Sequence, residues 1–305
     1  MKTILYFISI LFVTFVYGQQ NEGDIHRKKG NLEDAIKAYK KDFKKNPAND
    51  RNTYNLACAF ALTYIQKDSA FHYLDVALKN DHSLWALADN DLISLTSDTR
   101  WKDIEKQQLE KFQKKNDTLK QPEYAIKLLR LIMKDQALDY QMDLAKTYFM
   151  KNGKAPHWYY PIAEMKQNIA SENFKRMDSL ITQYGWPTYS TVGKLSADAP
   201  LLVINHHESD EVRKSYLDKI KNACLTKEGS CMEYAKIQDR ILVNNNQLQI
   251  YGMQFRYNNK RILEPFPIKD PEFVDERRFK IGLESLKVYL KRKINYEWNV
   301  PQKGE

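Results

Sequence analysis

The first third of the chain repeats a helical pattern of small and apolar residues. In residues 30–39 these side chains fall on one helical face, and Pro47 closes the segment. A second run of the same kind, residues 68–71, leads to Leu74, which lies 35 residues after Tyr39. Units of this length bury their apolar faces against one another, so the pattern predicts an array of helical pairs rather than a sheet.

These two runs resemble tetratricopeptide repeats, whose period is about 34 residues. Residues 30–39 match the second helix of such a repeat, although the helix before them lacks most of the signature. A third helical unit, residues 87–112, is expected to cap the array with Trp101 in its core. We therefore predict a short tetratricopeptide-like array over residues 19–115. The resemblance implies a protein or peptide partner bound in a groove; the alternative is an array that packs only against the second half of the chain.

The amino terminus has the three parts of a secretory signal peptide. Lys2 precedes an apolar run over residues 4–16, and small residues stand at Val16 and Gly18. This run is shorter than the roughly 20 residues that span a bilayer. We predict a signal peptide over residues 1–18, cleavage before Gln19, a secreted or periplasmic protein, and no membrane span after cleavage. An uncleaved anchor is the alternative.

Two of the three cysteines lie close together in the sequence. Cys224 and Cys231 are seven positions apart, whereas Cys58 is distant from both. In an oxidising compartment Cys224 and Cys231 can close a small disulfide loop. The alternative is a pair of buried free thiols.

The formal net charge of +9 does not by itself indicate a nucleic-acid-binding protein. Positive residues are mixed with negative ones in helical segments such as KAYKKDFKK and DERRFK, and the sequence has no dense basic block. This distribution is typical of a solvated surface. We therefore expect no nucleic-acid partner.

A polar segment, residues 114–123, separates the array from the second half of the chain. Helical spacing then continues, except at residues 239–255, where two short apolar runs flank three consecutive asparagines. Asparagine tolerates the conformations of tight turns, so this stretch predicts a β-hairpin, with Gly252 at a bulge or close backbone approach. The expected fold is mainly α, with the helical array followed by an α+β domain carrying a small antiparallel β-meander over residues 123–293.

A series of short motifs in the second half resembles DUF6624, a bacterial family known only as a domain of unknown function. The motifs are, in chain order, Asp135-Gln136, Gly185-Trp186-Pro187-Thr188, Asn205-His206 with Glu208, Asp239-Arg240 and Gln249-Ile250-Tyr251-Gly252-Met253-Gln254-Phe255. They cover about residues 123–292, and several motifs in one order are more specific than any one of them. The resemblance implies a shared fold. It implies no activity, because none is established for the family.

His206 is the residue around which a chemical site is predicted. It follows the apolar run LLVIN, interpreted as a strand, and an imidazole serves as acid or base near neutral pH. Asp239 can orient this ring and Arg240 can hold an anion, so these three are the candidate catalytic residues. The candidate ligand-binding residues are Asp135, Trp186, Tyr251 and Gln254. Alternatively, Asp239 and Arg240 form a buried pair that holds the hairpin to the helices, and His206 is satisfied in the core.

No metal or cofactor site is expected from the sequence. The residues from His206 to Asp210 include ligand types, but adjacent histidines on a strand point to opposite faces, and the spacings of zinc motifs are absent. The sequence also lacks a phosphate-binding glycine loop and a nucleophile elbow. Two functions remain: an exported interaction or scaffold protein, favoured by the array, or a metal-independent hydrolase or transferase that uses the candidate catalytic residues.

Overall fold

The computed structural model describes residues 21–260 and 262–303. This part of the chain is mainly α-helical and contains a two-stranded antiparallel sheet, which confirms the predicted fold class. The predicted signal peptide, residues 1–18, lies outside the described residues. Among the helices described, none is long and apolar enough to cross a membrane. Contacts divide the chain into two units, one ending at Asn80 and the other beginning at Asp81.

The unit that ends at Asn80 is built from consecutive helices, each packed on the next. Its described helices are α1 (Glu22–Lys28), α2 (Leu32–Lys45), α3 (Asp50–Leu62) and α4 (Lys67–Leu78). Tyr39 is fully buried in this unit, and its hydroxyl donates a 2.5 Å hydrogen bond to Asp24. Gly23 lies directly against the Tyr39 ring, because a Cβ there would stand 2.4 Å from the ring carbon Cε1. Close helix packing at this point therefore depends on a glycine facing an aromatic ring.

The second unit is larger and is organised around one central helix. Its elements, in chain order, are 3₁₀ helices at Trp85–Ala88 and Asn90–Ser97, α5 (Trp101–Lys115), α6 (Pro122–Asp135), α7 (Asp139–Asn152), α8 (Tyr159–Tyr184), α9 (Tyr189–Val192), α10 (Lys194–Ala197), α11 (Ala199–His206), α12 (Asp210–Leu225), α13 (Cys231–Asn244), β1 (Phe255–Tyr257), β2 (Leu263–Pro265), a 3₁₀ helix at Pro271–Phe273, α14 (Val274–Lys280) and α15 (Leu286–Ile294). Helix α6 begins at a proline, whose fixed φ suits a first helical turn. It packs against both early 3₁₀ helices and against α8, α9, α10 and α11.

Helix α5 belongs to this second unit. Glu105 on α5 accepts two hydrogen bonds from the Arg130 guanidinium of α6, at 2.7 and 2.6 Å, and a third from the Trp101 indole at 3.0 Å. Trp101 is buried, which confirms its predicted place in the core. The sequence placed a boundary at residues 114–123, whereas the contacts divide the chain after Asn80. The Arg130–Glu105 pair is one physical reason, since it ties the expected cap to the second half.

The β-hairpin predicted at residues 239–255 is wrong in position. Residues 241–243 continue helix α13, which ends at Asn244 within the run of asparagines. Strand β1 begins only at Phe255 and pairs with β2, so that Phe255 lies opposite Pro265. The run before His206 is also helical, within α11, and not a strand. Short apolar runs do not distinguish a strand from a buried helical segment, and here neighbouring residues extend both runs into helices.

Gly252 marks a close approach, one of the two alternatives drawn from the sequence. Its φ is 76°, a left-handed conformation that favours glycine. A Cβ at this position would lie 2.5 Å from Leu286 Cδ1, so the backbone passes directly over α15. This contact holds the irregular segment between α13 and β1 against the apolar cluster around Leu286.

Cys224 and Cys231 are joined by a disulfide, the first of the two alternatives drawn from the sequence. The bridge links the end of α12 to the first residue of α13. Within the short loop it closes, the backbone carbonyl and the carboxylate of Glu228 accept hydrogen bonds from the N–H groups of Tyr189 and Ser190. The bridge therefore fixes a loop that anchors the start of helix α9.

Candidate active site

Asp135 and His206 form a hydrogen-bonded pair between two helix ends. The Nδ1 atom of His206 lies 2.7 Å from Oδ2 of Asp135. The Asp135 side chain is 2 % exposed, whereas that of His206 is 38 % exposed. Asp135 is the last residue of α6 and His206 the last residue of α11, and these helices pack on each other. A buried carboxylate thus holds one side of a ring whose other side reaches solvent.

The carboxyl end of α6 is fixed by Lys166 of α8. Its ammonium donates to the backbone carbonyls of Asp135 and Ala137 and to the carboxylate of Asp139. A cation at the carboxyl end of a helix satisfies carbonyl groups that have no partner within the helix and interacts favourably with the helix dipole. The next helix starts after Leu138, whose φ of 69° lies in the left-handed region. These contacts set the position of Asp135.

The carboxyl end of α11 is fixed by Arg213 of α12, which is 3 % exposed. Its guanidinium donates to the carbonyl of His207 and, at 3.3 and 3.4 Å, to that of Asn205. It also pairs with Asp210 at 2.5 Å, one turn earlier in the same helix. A planar guanidinium suits this arrangement because its donors lie in a fixed fork. Arg213 therefore places the backbone that carries His206.

The pair lies at the wall of an open cleft of about 670 Å³. The lining comes from Asp135, from α8 and from the end of α11, and comprises Asp135, Ala163, Glu164, Lys166, Gln167, Asn168, Ala170, Ser171, Phe174, Lys175, His206, His207 and Glu208. Asn173, buried behind this wall, donates to the carbonyl of Leu131 at 3.1 Å and so holds α8 on α6. The cleft has a size that suits a small substrate or one end of a chain.

The two histidines at this cleft are held differently. A carboxylate only accepts hydrogen bonds, so in the neutral ring of His206 this contact requires the proton on Nδ1, and Nε2 is then the acceptor. No protein group among the described residues bonds to that Nε2 atom. His207 accepts a hydrogen bond from Ser209 N–H at its own Nδ1 and packs on Phe174, with ring centroids 4.5 Å apart. His206 thus has the arrangement of an oriented general base.

Asp239 does not line this cleft. It is fully buried, and its carboxylate accepts backbone N–H bonds from Ile250, Tyr251 and Met253 at 2.7–3.1 Å. Burial raises the pKa of Asp239 to about 6, whereas these N–H bonds act in the opposite direction. Asp239 therefore shapes the backbone after α13, and the carboxylate that the structure places beside His206 is that of Asp135.

Arg240 is also absent from the cleft lining. Its Nε atom is buried without a hydrogen-bond partner among the described residues. Burial, and then the neighbouring positive charge of Arg213, lower its pKa. The structure thus separates the three residues grouped by the sequence, because His206 faces the cleft while Asp239 and Arg240 serve the packing of α13.

The other candidate ligand-binding residues also lie outside this cleft. Trp186 packs against Tyr216 with ring centroids 6.0 Å apart. Tyr251 packs against Tyr234, and its carbonyl accepts a 2.5 Å bond from Arg278. Gln254 donates to the carbonyl of Lys236 at 2.9 Å. Of the four, Asp135 alone is brought to His206.

The family model of DUF6624, described as a family of unknown function, matches residues 122–299, more than half of the chain. The chain belongs to this family. Comparisons with curated proteins and with solved structures gave no match. No family model matches the first unit, so the tetratricopeptide-like array stays a prediction. Asp135 and His206 both lie within the matched DUF6624 region.

The residues that position the DUF6624 dyad, Lys166 and Arg213, were not singled out from the sequence. Neither belongs to a recognisable motif, and each acts on backbone carbonyls at the end of another helix. A sequence signal exists for Arg213, because Asp210 three positions earlier permits a pair along one helix face. For Lys166 the signal is absent, since its partners lie 27 to 31 positions away.

Asp198 stands immediately before α11 and is expected to make the stability of the DUF6624 domain depend on pH. Burial and the negative charge of Glu233 raise the pKa of Asp198 to about 6. The folded protein therefore binds this proton more tightly than the unfolded chain does, and stability falls as the pH rises from about 4 to 7. In Asp198→Asn we expect the free energy of unfolding to decrease by about 1–2 kcal/mol less over this pH range than in the wild type, a value that takes the partial exposure of Asp198 into account. Urea unfolding across this range measures it, and an unchanged pH dependence in the variant would contradict the assignment.

Proposed function

We propose that the DUF6624 domain of this chain is an acid–base enzyme, a hydrolase or transferase with His206 as its general base. The observation that carries the proposal is the 2.7 Å contact between His206 Nδ1 and the buried Asp135 carboxylate at an open cleft. A buried carboxylate that orients a solvent-accessible imidazole is an arrangement that suits general-base catalysis. In this proposal the carboxylate that orients His206 is Asp135 and not Asp239, and Arg240 has no catalytic role.

In the proposed hydrolytic reaction, His206 Nε2 takes a proton from a water molecule as the water oxygen bonds to the electrophilic atom of the substrate. The bond to the leaving group breaks, and the imidazolium returns the proton to that group. In a transferase, an acceptor hydroxyl replaces the water. Asp135 keeps Nδ1 protonated and stabilises the imidazolium.

A substrate panel tests the proposal directly. The purified chain would be assayed on chromogenic esters, amides, phosphodiesters and glycosides, with His206→Ala as the test variant. We expect one class to be turned over and the variant to lose about 10²–10⁴-fold in kcat. His72→Ala, at an exposed histidine of the first unit, is the matched control. An activity that survives His206→Ala in a folded protein would contradict the proposed role.

A second readout needs no substrate. Nitrogen NMR of the imidazole distinguishes the two neutral tautomers, and the Asp135 contact requires the proton on Nδ1. We expect this tautomer at His206 in the wild type and its loss in Asp135→Ala. A wild-type ring that carries its proton on Nε2 would have no free base directed at the cleft, and the catalytic proposal would fail.

Partner binding by the first unit is a second candidate function. The supporting observation is at the turn between α3 and α4, where Tyr64 and Ile65 are 62 % and 88 % exposed. Exposed apolar side chains on a short helical array suit a protein or peptide partner. Under this proposal, replacing both residues by serine in the full chain abolishes capture of a partner without changing the helical signal. Capture that is unaffected by these replacements would contradict this surface.

We also propose that the protein is exported, as a secreted or periplasmic protein. The Cys224–Cys231 disulfide supports this, because structural disulfides persist in oxidising compartments. Fractionation of cells that express the full chain tests the proposal. Recovery in the cytosol with both thiols reduced would contradict it.

A further inference from the structure

The helical hairpin formed by α7 and α8 exposes an unusual number of large apolar side chains. Seven of the seventeen such side chains exposed in the described part of the chain lie within residues 140–165. They are Tyr140, Leu144, Tyr148, Phe149, Trp158, Tyr160 and Met165, and we call them the hairpin surface. Phe149, Tyr160 and Met165 are more than half exposed. Scattered single apolar residues are normal on a protein surface, but a cluster of this size marks an interaction site.

Near the tip of this hairpin the charges have one sign, and Asp143 and Glu164 stand on either side of that stretch. Residues 144–163 contain three lysines and a histidine and no aspartate or glutamate. Lys151, Lys154 and Trp158 are all exposed near the hairpin tip. The three lysines give this stretch a net charge of +3 with His157 neutral. It complements a negatively charged partner.

The tip of the hairpin is a short, mostly exposed loop. Helix α7 ends before Gly153, which has a φ of 71°, and α8 begins at Tyr159 after a short loop. A cavity of about 740 Å³ opens beside the tip, and its lining includes Met142, Phe149 and Tyr160. Aromatic, aliphatic and lysine side chains therefore line this cavity together with one carboxylate, that of Asp143.

We propose that the hairpin surface binds a membrane surface that contains anionic lipids. Trp and Tyr side chains favour the headgroup level of a bilayer, and lysines bury their aliphatic stems there while the ammonium groups contact lipid phosphates. The exposed apolar residues extend from Tyr140 to Met165 and so cover more surface than the cavity alone. A single bound peptide would fill only the cavity. The chain thus lies on the membrane through this hairpin, and the cleft at His206 is a separate site of the same unit.

Vesicle co-sedimentation is the first test. The full chain would be mixed with vesicles of phosphatidylcholine alone, or with one third phosphatidylglycerol added. We expect binding to the anionic vesicles, and a loss of about 25-fold in partitioning for Lys151→Gln with Lys154→Gln, since each lysine contributes about fivefold. The matched control replaces Lys287 and Lys293, two exposed lysines of α15, and is expected to change partitioning much less. Absence of binding to anionic vesicles, or equal losses in both double variants, would overturn the proposal.

Fluorescence quenching locates the contact. Lipids brominated near the headgroup quench a tryptophan that enters the interface, and Trp158 is the tryptophan of the hairpin surface. We expect the wild type to be quenched on anionic vesicles and Trp158→Phe to lose most of the quenching while it still co-sediments. Quenching that persists in the variant would place another surface on the membrane and overturn the assignment. Capture of a soluble acidic peptide, without vesicle binding, would identify a peptide site instead.

Discussion

Asp239→Ala is expected to lower the free energy of unfolding by about 3–5 kcal/mol. The carboxylate is fully buried and accepts hydrogen bonds from three backbone N–H groups, those of Ile250, Tyr251 and Met253. Alanine leaves these donors buried without partners, and each unsatisfied group carries its desolvation penalty. The loss also releases the segment that passes over Leu286 at Gly252.

Urea unfolding followed by circular dichroism measures this effect. Asp239→Asn keeps the shape and one acceptor oxygen, so its loss should fall between the wild type and alanine. Asp218→Ala, at an exposed carboxylate of α12, is the matched control and should change stability by less than about 0.5 kcal/mol. A loss below about 1 kcal/mol for Asp239→Ala would show that the N–H groups find other partners.

The sequence identified residues 239–255 as important but assigned them the wrong local structure. Strand propensity in residues 241–243 is real, yet these residues continue an established helix, and only long-range contacts show which state is favoured. The segment after them is fixed by the side chains of Asp239 and Gln249, which bond to backbone groups, and by an isolated parallel bridge between Gln249 and Ile268. No local pattern encodes such side-chain-to-backbone contacts, so the sequence predicted a hairpin.

The candidate site shows the same division between residue identity and pairing. Asp135 and His206 were both singled out from the sequence, but in different roles and 71 positions apart. Their contact depends on how α6 packs against α11, and therefore on buried apolar residues such as Leu128 and Ile204 rather than on the motifs themselves. Asp239 was the nearer carboxylate in sequence, and its burial could not be inferred from composition. The sequence motifs thus identified Asp135 and His206, but the packing of α6 against α11 determined that these two residues are partners.

The mainly α fold was the part most accessible from the sequence. Helical periodicity is a local property, since side chains three and four positions apart share a face. It predicted helices through both halves, including those at α6 and α8, whereas the run in α11 that carries His206 was interpreted as a strand. The boundary between the two units was harder to predict from the sequence. The Arg130–Glu105 pair and the burial of Trp101 join residues that local composition assigns to different segments.

Asp135→Asn is expected to lower kcat by about 10²–10³-fold on the substrate found with the panel, with little change in KM. The amide can donate to His206 Nδ1, which moves the ring proton to Nε2 and removes the free base from the cleft. A neutral amide also stabilises the imidazolium less than a carboxylate does. Substrate contacts are unchanged, so binding should be preserved. A lower kcat at a nearly unchanged KM distinguishes this positioning role from a structural one.

The tautomer at His206 provides the independent check on the same variant. If Asp135 acts through His206, the nitrogen NMR signature of Asp135→Asn changes together with kcat, and Asp103→Asn, at an exposed carboxylate of α5, changes neither. A purely structural Asp135 would instead lower the unfolding midpoint and leave the tautomer and kcat of the folded fraction intact. Full activity in a folded Asp135→Asn protein would contradict the dyad. The buried carboxylate would then hold only the ends of α6 and α11 together, and the base would have to be another group of the cleft lining.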